Sequence, residues 1–545
     1  MRSLLALFLI LISMVWARQQ QSTVLDIEMA TKAKDLQSAR AHFSNVYQRY
    51  AAANMVDSFA TLVPMLGAIV VADPKNPSLT DSIAYFIQRV RQIDSSASVV
   101  RPLYQAAAEF YANLGRNQFG YDAIAMALAT TQAEPNADPS ILAQLEYNLG
   151  VYAQRMGNVQ VSENHHRKAM NMRQRFSTQD PEALYLSLNA MGAVMWFASK
   201  QDSATYYFNQ AMRQLEKLPA IPQNKFYRRS IILNNLAGLY AEQGKHSEGI
   251  RAMEECIRIS QQFVNDKEPH PKKESAEAGI YQGMDNLAGL FKNVGDYKKA
   301  GDLLHFSYNQ KLSKLTAGHS DIFISEILLG QHYTDIREYS KAIQYLQKGL
   351  NNLAQSSGDY LYWEADACYA MARALSGIGK QEEAKEYYYK SEILLKESFN
   401  DVYDNIYLGF LRNSAIFWAS QKDMPKAKQM AKTGYEYILK VLGKQSLEGF
   451  YQLLNFSEIH FMDKQFAESK KYAEDAITVV ERYVQSATNR IDSVRMQMYL
   501  PQAIMLQQKS RYHLALQKDS ATLSSIAEML EKAIQILEQR KFLVD

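Results

Sequence analysis

A helix-ending turn recurs along this chain about every 42 residues, and a single compact core is not built that way. The turn falls at Gly115, Gly157, Ser199, Gly244, Gly295, Arg337, Gly379, Lys422 and Lys464, with spacings of 42, 42, 45, 51, 42, 42, 43 and 42. Five of these are glycine, which adopts the left-handed conformation at a helix end cheaply. Side-chain size repeats with the same period. Before the turn comes a large-small pair and then a bulky residue, as in Leu236-Ala237 with Tyr240, Leu287-Ala288 with Phe291, and Leu329-Gly330 with Tyr333. After it come a small, a large and a small residue, as in Ala204, Phe208, Ala211; Ala300, Leu304, Ser307; Ala342, Leu346, Gly349; and Ala384, Tyr388, Ser391. Spacings of three and four place these on one helix face. Small residues there let antiparallel helices approach to about 8–10 Å. The expected fold class is all-α: an α-solenoid of stacked antiparallel helix pairs forming a superhelix. Length and composition agree. The 545 residues exceed the roughly 250–300 at which a single core stops growing. Only 24 glycines and 13 prolines interrupt them.

The regular array is expected over residues 101–488, in about nine units. Residues 18–100 read as divergent N-terminal helical repeats, broken near Asp73-Pro74-Lys75-Asn76-Pro77, and residues 489–545 as a C-terminal helix pair that caps the array. Ahead of these, Arg2 precedes an apolar run from Leu4 to Trp16. That run is too short to span a bilayer and fits the core of a signal peptide. Val15-Trp16-Ala17 supplies the small residues a signal peptidase reads, so residues 1–17 are expected to be removed and the protein exported to the periplasm or the exterior. The first cysteine is Cys256, which leaves none near the cleavage point for a lipid anchor. Phe59 to Ala72 is also apolar, but its length suits a buried core helix rather than a membrane span.

The sequence offers no readable catalytic constellation, and no cofactor or metal is expected. Cys256 occupies a small-residue crossing position and Cys368 a core position of a first helix, where packing explains them. The only adjacent histidines, His165 and His166, point to different sides of a helix. Neither H-E-x-x-H nor C-x-x-C occurs. Gly377-Ile378-Gly379-Lys380 lacks the remainder of a phosphate loop and reads as a helix-ending turn. The acidic pair Glu382-Glu383 sits at a helix start, where the dipole favours it. A formal net charge of +3 gives no basic field for nucleic acid.

The surface available for function is the concave groove lined by the first helix of each pair. Asparagines recur on its projection at Asn148, Asn189, Asn235, Asn286, Asn413 and Asn455. An amide carries a donor and an acceptor, so it can pair with the backbone of an extended peptide whatever its sequence, or equally with a neighbouring helix or water. Tyr147, Trp196, Phe197, Tyr369 and Phe461 add apolar footholds. Arg155, Asp285, Lys292, Asp335, Arg373, Arg412 and Glu458 add charges of both signs.

Segments such as Leu236-Ala-Gly-Leu-Tyr-Ala-Glu-Gln-Gly244 and Asn293-Val-Gly-Asp-Tyr-Lys-Lys-Ala300 resemble the tetratricopeptide-repeat family, whose pattern is L-G-x2-Y, then A-x3-F, then a small residue. That family's usual unit has about 34 residues; the longer unit here looks more like its kinesin-light-chain-like branch. The last two units depart most, with Ser414-Ala415 and Phe456-Ser457 in place of Leu-Gly. The resemblance implies a non-enzymatic scaffold that binds a protein or extended peptide partner in its groove, where related asparagines of the family contact peptides. The Lys and Arg cluster that grips a terminal carboxylate in chaperone-binding relatives is not seen here. Two other readings stay open. Similar arrays are the sensor or adaptor portion of systems whose output is a CHAT-type peptidase, a histidine kinase or a DNA-binding domain. Others belong to glycan-binding lipoproteins, against which the missing anchor cysteine counts.

Overall fold

The structure, a computed structural model, describes residues 30, 35–53, 55–71, 79–113, 116–175, 180–316, 318–356, 360–398, 405–487, 489–515 and 520–538. The expected signal segment, the cleavage point and the turn at Gly115 lie outside them. Every regular element among the described residues is helical. No described helix is long and apolar enough to cross a membrane. The chain divides into two compact units, Met1–Val194 and Met195–Asp545. The division falls inside the stretch expected to be one regular array.

Unit 1 contains α1 (Leu36–Ala52), a 3-10 turn (Val56–Thr61), α2 (Leu62–Val71), α3 (Leu79–Ile93), α4 (Ala97–Asn113), α5 (Asn117–Gln132), α6 (Pro139–Arg155), α7 (Val159–Arg175) and most of α8 (Pro181–Phe197). The apolar stretch that begins at Phe59 is a core element, with Phe59, Leu62 and Val63 fully buried. Phe59 meets Tyr47, Tyr50 and Phe86 at ring-centroid distances of 5.6, 6.0 and 6.3 Å. Such a cluster of rings in α1 to α3 holds this end together by apolar burial. The start of α6 shows the local code plainly: Pro139 occupies its first turn, and the Asp138 side chain accepts from the Ser140 N–H at 2.8 Å.

Unit 2 continues with α9 (Gln201–Leu215), a π-turn (Gln223–Arg228), α10 (Arg229–Glu242), α11 (His246–Asn265), α12 (Lys273–Asn293), α13 (Tyr297–Lys314), α14 (Ser320–Asp335), α15 (Tyr339–Ala354), α16 (Leu361–Gly377) and α17 (Gln381–Ser398). It is completed by α18 (Asn405–Ser420), α19 (Met424–Tyr437), a second π-turn (Ile438–Leu442), α20 (Leu447–Met462), α21 (Phe466–Ser486), the short α22 (Arg490–Gln497), α23 (Leu500–Ala515) and α24 (Ser520–Glu538). The even-numbered helices α10 to α20 are first helices and α11 to α21 their partners. The insertion between α11 and α12 is the surface segment 266–272 with its two prolines.

The periodic turns are one backbone motif. All eight described turn residues have positive φ: Gly157 (73°), Ser199 (58°), Gly244 (73°), Gly295 (80°), Arg337 (64°), Gly379 (83°), Lys422 (65°) and Lys464 (60°). In each case the next residue's N–H returns to the carbonyl five positions back, as in Lys245 to Tyr240 at 2.8 Å and Glu338 to Tyr333 at 2.9 Å. This left-handed cap consumes the orphan carbonyls of the first helix and reverses the chain. Ser, Arg and Lys at four of the turns carry the steric cost of a Cβ in that region.

The small-large-small triplets are the crossings. Ala204, Phe208 and Ala211 are fully buried, as are Ala300 and Ser307 around Leu304, and Ala384 and Ser391 around Tyr388. Where the last small residue has a donor, it reaches the first-helix carbonyl 26 positions earlier. Ser307 Oγ donates to Tyr281 O at 3.2 Å and Ser391 Oγ to Ala365 O at 2.9 Å. The Cys256 thiol makes the same contact with Ser230 O at 3.2 Å. Burial pushes this thiol up to about 11 and that of Cys368 up to about 12, so neither is a nucleophile near neutral pH.

Candidate functional site

Unit 2 holds a partly open cavity of about 1590 Å³. Small-molecule sites usually occupy about 300–1,000 Å³, so this space suits a larger occupant. Successive first helices build its wall: Lys292 from α12, Gln331 and Asp335 from α14, Tyr369 and Arg373 from α16, Arg412 and Asn413 from α18, and Tyr451 from α20. The lining continues over Tyr297 at the start of α13, His246 at the start of α11, and Arg495, Met498 and Tyr499 at the junction of α22 and α23.

The wall is held by a polar ladder that crosses from each first helix to the next. Lys292 Nζ lies 2.6 Å from Asp335 Oδ2, and Arg373 Nη2 donates to Asp335 Oδ1 at 2.9 Å. Burial alone would raise the Asp335 carboxyl, but the two cations overcome it and hold it below the usual range. Gln331 donates to Asp366. Tyr369 Oη donates to the Gly409 carbonyl at 3.0 Å, and Asn413 Nδ2 donates to Tyr369 Oη at 2.5 Å. Arg412 pairs with Glu448, and Asn455 Nδ2 returns to the Arg412 carbonyl at 3.1 Å.

Two guanidiniums also lie over aromatic faces, Arg373 at 5.6 Å from the Tyr369 centroid and Arg412 at 5.1 Å from that of Tyr451. Tyr499 meets Tyr451 edge-on at 5.7 Å. Burial raises the phenols of Tyr369, Tyr451 and Tyr499, which therefore remain neutral donors at physiological pH. The site offers aromatic faces, fixed cations and amide groups. Among the described residues no cluster of three metal-ligating side chains occurs.

Residues far apart in sequence meet at the lining of this cavity. Helix α11 has Lys245 at its cap position and no side-chain cap of its own. Asp492, 245 residues later, takes that role: its Oδ1 accepts from the Ser247 N–H at 3.0 Å and from Ser247 Oγ at 2.8 Å. Asp492 is itself the third residue of α22, positioned by Asn489, whose Nδ2 donates to Oδ2 at 2.9 Å. Arg495 Nη1 completes the clasp by donating to Ser247 Oγ at 3.0 Å. His246, beside it, is 3% exposed and lines the cavity, and neither ring nitrogen has a hydrogen-bond partner among the described residues.

The residues expected on the groove fall into three groups. Lys292, Asp335, Tyr369, Arg373, Arg412 and Asn413 line the cavity. A second group in unit 2 ties helices together. Asn286 Nδ2 donates to Asn234 Oδ1 at 3.1 Å, Asn455 to the Arg412 carbonyl, and Trp196 Nε1 to Glu242 Oε2 at 2.8 Å. Asp285 belongs with them, because it is buried against Lys311 of α13 at 2.6 Å rather than offered to a ligand. Asn235 and Glu458 are half-buried on first helices, Phe461 packs edge-on against Phe466 at 5.5 Å, and Phe197 is exposed. None of these lines the cavity.

The third group lies in unit 1. Asn148 accepts from Gln144 of its own helix at 2.8 Å, Arg173 covers the Tyr147 ring at 4.8 Å, and Arg155 lies 5.6 Å from Tyr152. Asn189 has a buried Oδ1 with no partner among the described residues. The adjacent histidines do separate. His165 lies between Tyr121 Oη at 3.0 Å and Glu146 Oε2 at 2.6 Å, linking α5, α6 and α7, whereas His166 is buried at the α6–α7 crossing. Sequence reasoning missed Tyr297, Tyr451, Tyr499, Arg495 and His246. The α22–α23 residues carry no repeat signal, and Tyr297 and His246 sit at second-helix starts.

Residues 231–271, which cover α10 and α11, and residues 365–392, in α16 and α17, match models described as tetratricopeptide repeat. Among solved structures, the chain is similar to BtubC (BKLC) from P. vanneervenii, at 16% identity over 48% of this chain and 92% of that one, TM-score 0.34. It is also similar to the apo quorum sensor NprR from B. thuringiensis, at 13% identity over 75% and 100%, TM-score 0.39. A Rap protein complexed with Competence and Sporulation Factor is similar at 12% identity over 71% and 99%, TM-score 0.42. No curated protein matches the sequence. Two helix pairs matched by sequence, and a cap and crossing geometry repeated through the described pairs, show that this chain carries tetratricopeptide repeats.

Proposed function

We propose that this protein is a non-enzymatic scaffold that binds an extended peptide or protein segment in the cavity of unit 2. The observation that carries this reading is the cavity wall itself, in which consecutive first helices present Arg373, Arg412 and Asn413 beside the rings of Tyr369 and Tyr451. Asn413 is exposed and spends its Nδ2 on Tyr369 Oη and the Gly409 carbonyl. Its Oδ1 is left to accept from a ligand N–H. Flat aromatic faces with fixed cations accommodate many side chains, which suits backbone-led recognition. Export belongs to the same reading, supported by Arg2 and the apolar run Leu4 to Trp16.

Panning a random peptide library on the immobilised full chain tests the reading. Enriched peptides are expected to bind about 3- to 10-fold more weakly to N413A and to R373A, the loss of one hydrogen bond in each case. Absence of enrichment over a blank surface, or peptides that bind both variants as tightly as the wild type, rejects it.

A further inference from the structure

We infer that the contact between the start of α11 and α22 is a gate on the cavity of unit 2, opened by breaking the bonds of Asp492 to Ser247. The inference regulates the binding site proposed above and rests on that reading for its purpose, but its test needs no ligand. Three features make this contact a separable latch rather than ordinary packing. First, it is polar and small. Its bonds include those from Ser247 N and Oγ to Asp492, from Arg495 to Ser247 Oγ, and a side-chain hydrogen bond between Glu248 and Asp492, with Arg495 Nη1 3.5 Å from Asp492 Oδ1 and Gly244 of the α10–α11 turn set close to Met496 and Tyr483. A contact made mostly of hydrogen bonds can exchange its partners for water, which a fused apolar core cannot do.

Second, the latch supplies the side-chain cap at the start of α11, where the Lys245 side chain makes no cap bond of its own. The carboxylate sits where unsatisfied N–H groups and the helix dipole favour an anion. Asp492 is correspondingly held below the usual carboxylate range. Burial opposes this, and the hydrogen bonds from Asn489 and Ser247 among others overcome it. Third, residues of the latch border the cavity directly. Arg495 lines it, and so does His246, whose ring nitrogens lack hydrogen-bond partners among the described residues. Opening would hydrate that imidazole and widen access at one stroke.

The test is size-selective labelling. A cysteine placed in the cavity as N413C is treated with N-ethylmaleimide or with a maleimide carrying a 5-kDa polyethylene glycol chain. The native Cys256 and Cys368 are both buried and report any general loosening. In the otherwise unaltered chain, the bulky reagent should react much more slowly than the small one, relative to their rates on a free thiol. Adding D492A should raise the bulky rate at least about tenfold, the factor supplied by one charge-assisted hydrogen bond, while Cys368 stays unreactive. S247A keeps the backbone bond and should give a smaller rise in the same direction. Equal relative rates for the two reagents before any latch mutation, or a bulky rate unchanged in both latch variants, overturns the gate. So does a rise matched by labelling of Cys368. A failed panning experiment with a positive labelling result would reject the peptide ligand and leave the gate standing.

Discussion

Substituting Asp285 by alanine is expected to destabilise unit 2 by about 3–5 kcal/mol, the range for removing one partner of a buried ion pair. Lys311 Nζ, 2% exposed, meets Asp285 Oδ2 at 2.6 Å and Ser325 Oγ at 2.9 Å. Without the carboxylate, an ammonium on α13 would remain between α12 and α14 with one neutral partner. Burial raises the Asp285 carboxyl even against the pull of Lys311. The effect should appear in urea unfolding and in hydrogen exchange of α12 to α14. The double variant D285L/K311M should recover most of the loss, because apolar residues of similar volume commonly replace a buried pair without penalty. A D285A chain that unfolds at the wild-type urea concentration would show that the pair is solvated and contributes little.

The second large effect is a pH dependence seated in unit 1. His166 is fully buried at the α6–α7 crossing, beneath Gly150 and edge-on to Tyr147 at 5.2 Å, with neither nitrogen bonded among the described residues. Burial first, and then the nearby charge of Arg173, push its pKa down from 6.5 to about 4. Between those values the unfolded chain binds a proton that the folded chain refuses. The stabilisation is therefore complete above pH 6.5 and is lost as pH falls toward 4, by about 3 kcal/mol in total at roughly 1.4 kcal/mol per pH unit. Hydrogen exchange of α6 and α7 amides should report it, with protection falling below pH 6.5. H166F should flatten that local dependence. His246 and His332 of unit 2 are also lowered by burial, so a global unfolding curve would mix the sites. Equal pH slopes for the wild-type and H166F amides would place the proton elsewhere.

Much of the architecture was legible because it is periodic. The residue at each turn could be named from the sequence, even where it is Ser, Arg or Lys, because register fixes the left-handed position more firmly than residue type does. The small-large-small triplets were legible for the same reason. The site was legible only in part. Projection onto a face placed Arg373 and Asn413 on the cavity, but it placed Asp285, Asn286 and Asn455 there as well. What separates the groups is whether a partner stands within reach on a packed helix. Lys311 takes Asp285, Asn234 takes Asn286, and the Arg412 carbonyl takes Asn455. A single repeat unit does not encode that pairing. The clasp left no trace, since no period relates Ser247 to Asp492.

That last separation bears on how the protein is made. Solenoid contacts are local, and each repeat can dock as soon as the next one exists. Unit 2 breaks this rule at one point: the start of α11 obtains its cap from a residue 245 positions downstream. At about 5–20 residues per second of synthesis, roughly 12–50 seconds pass before Asp492 emerges. Throughout that interval the start of α11 lacks the side-chain cap that Asp492 supplies. The link from α11 to α22 forms only after the repeats between them are in place, so an array of mostly local contacts is completed by one that spans 245 residues.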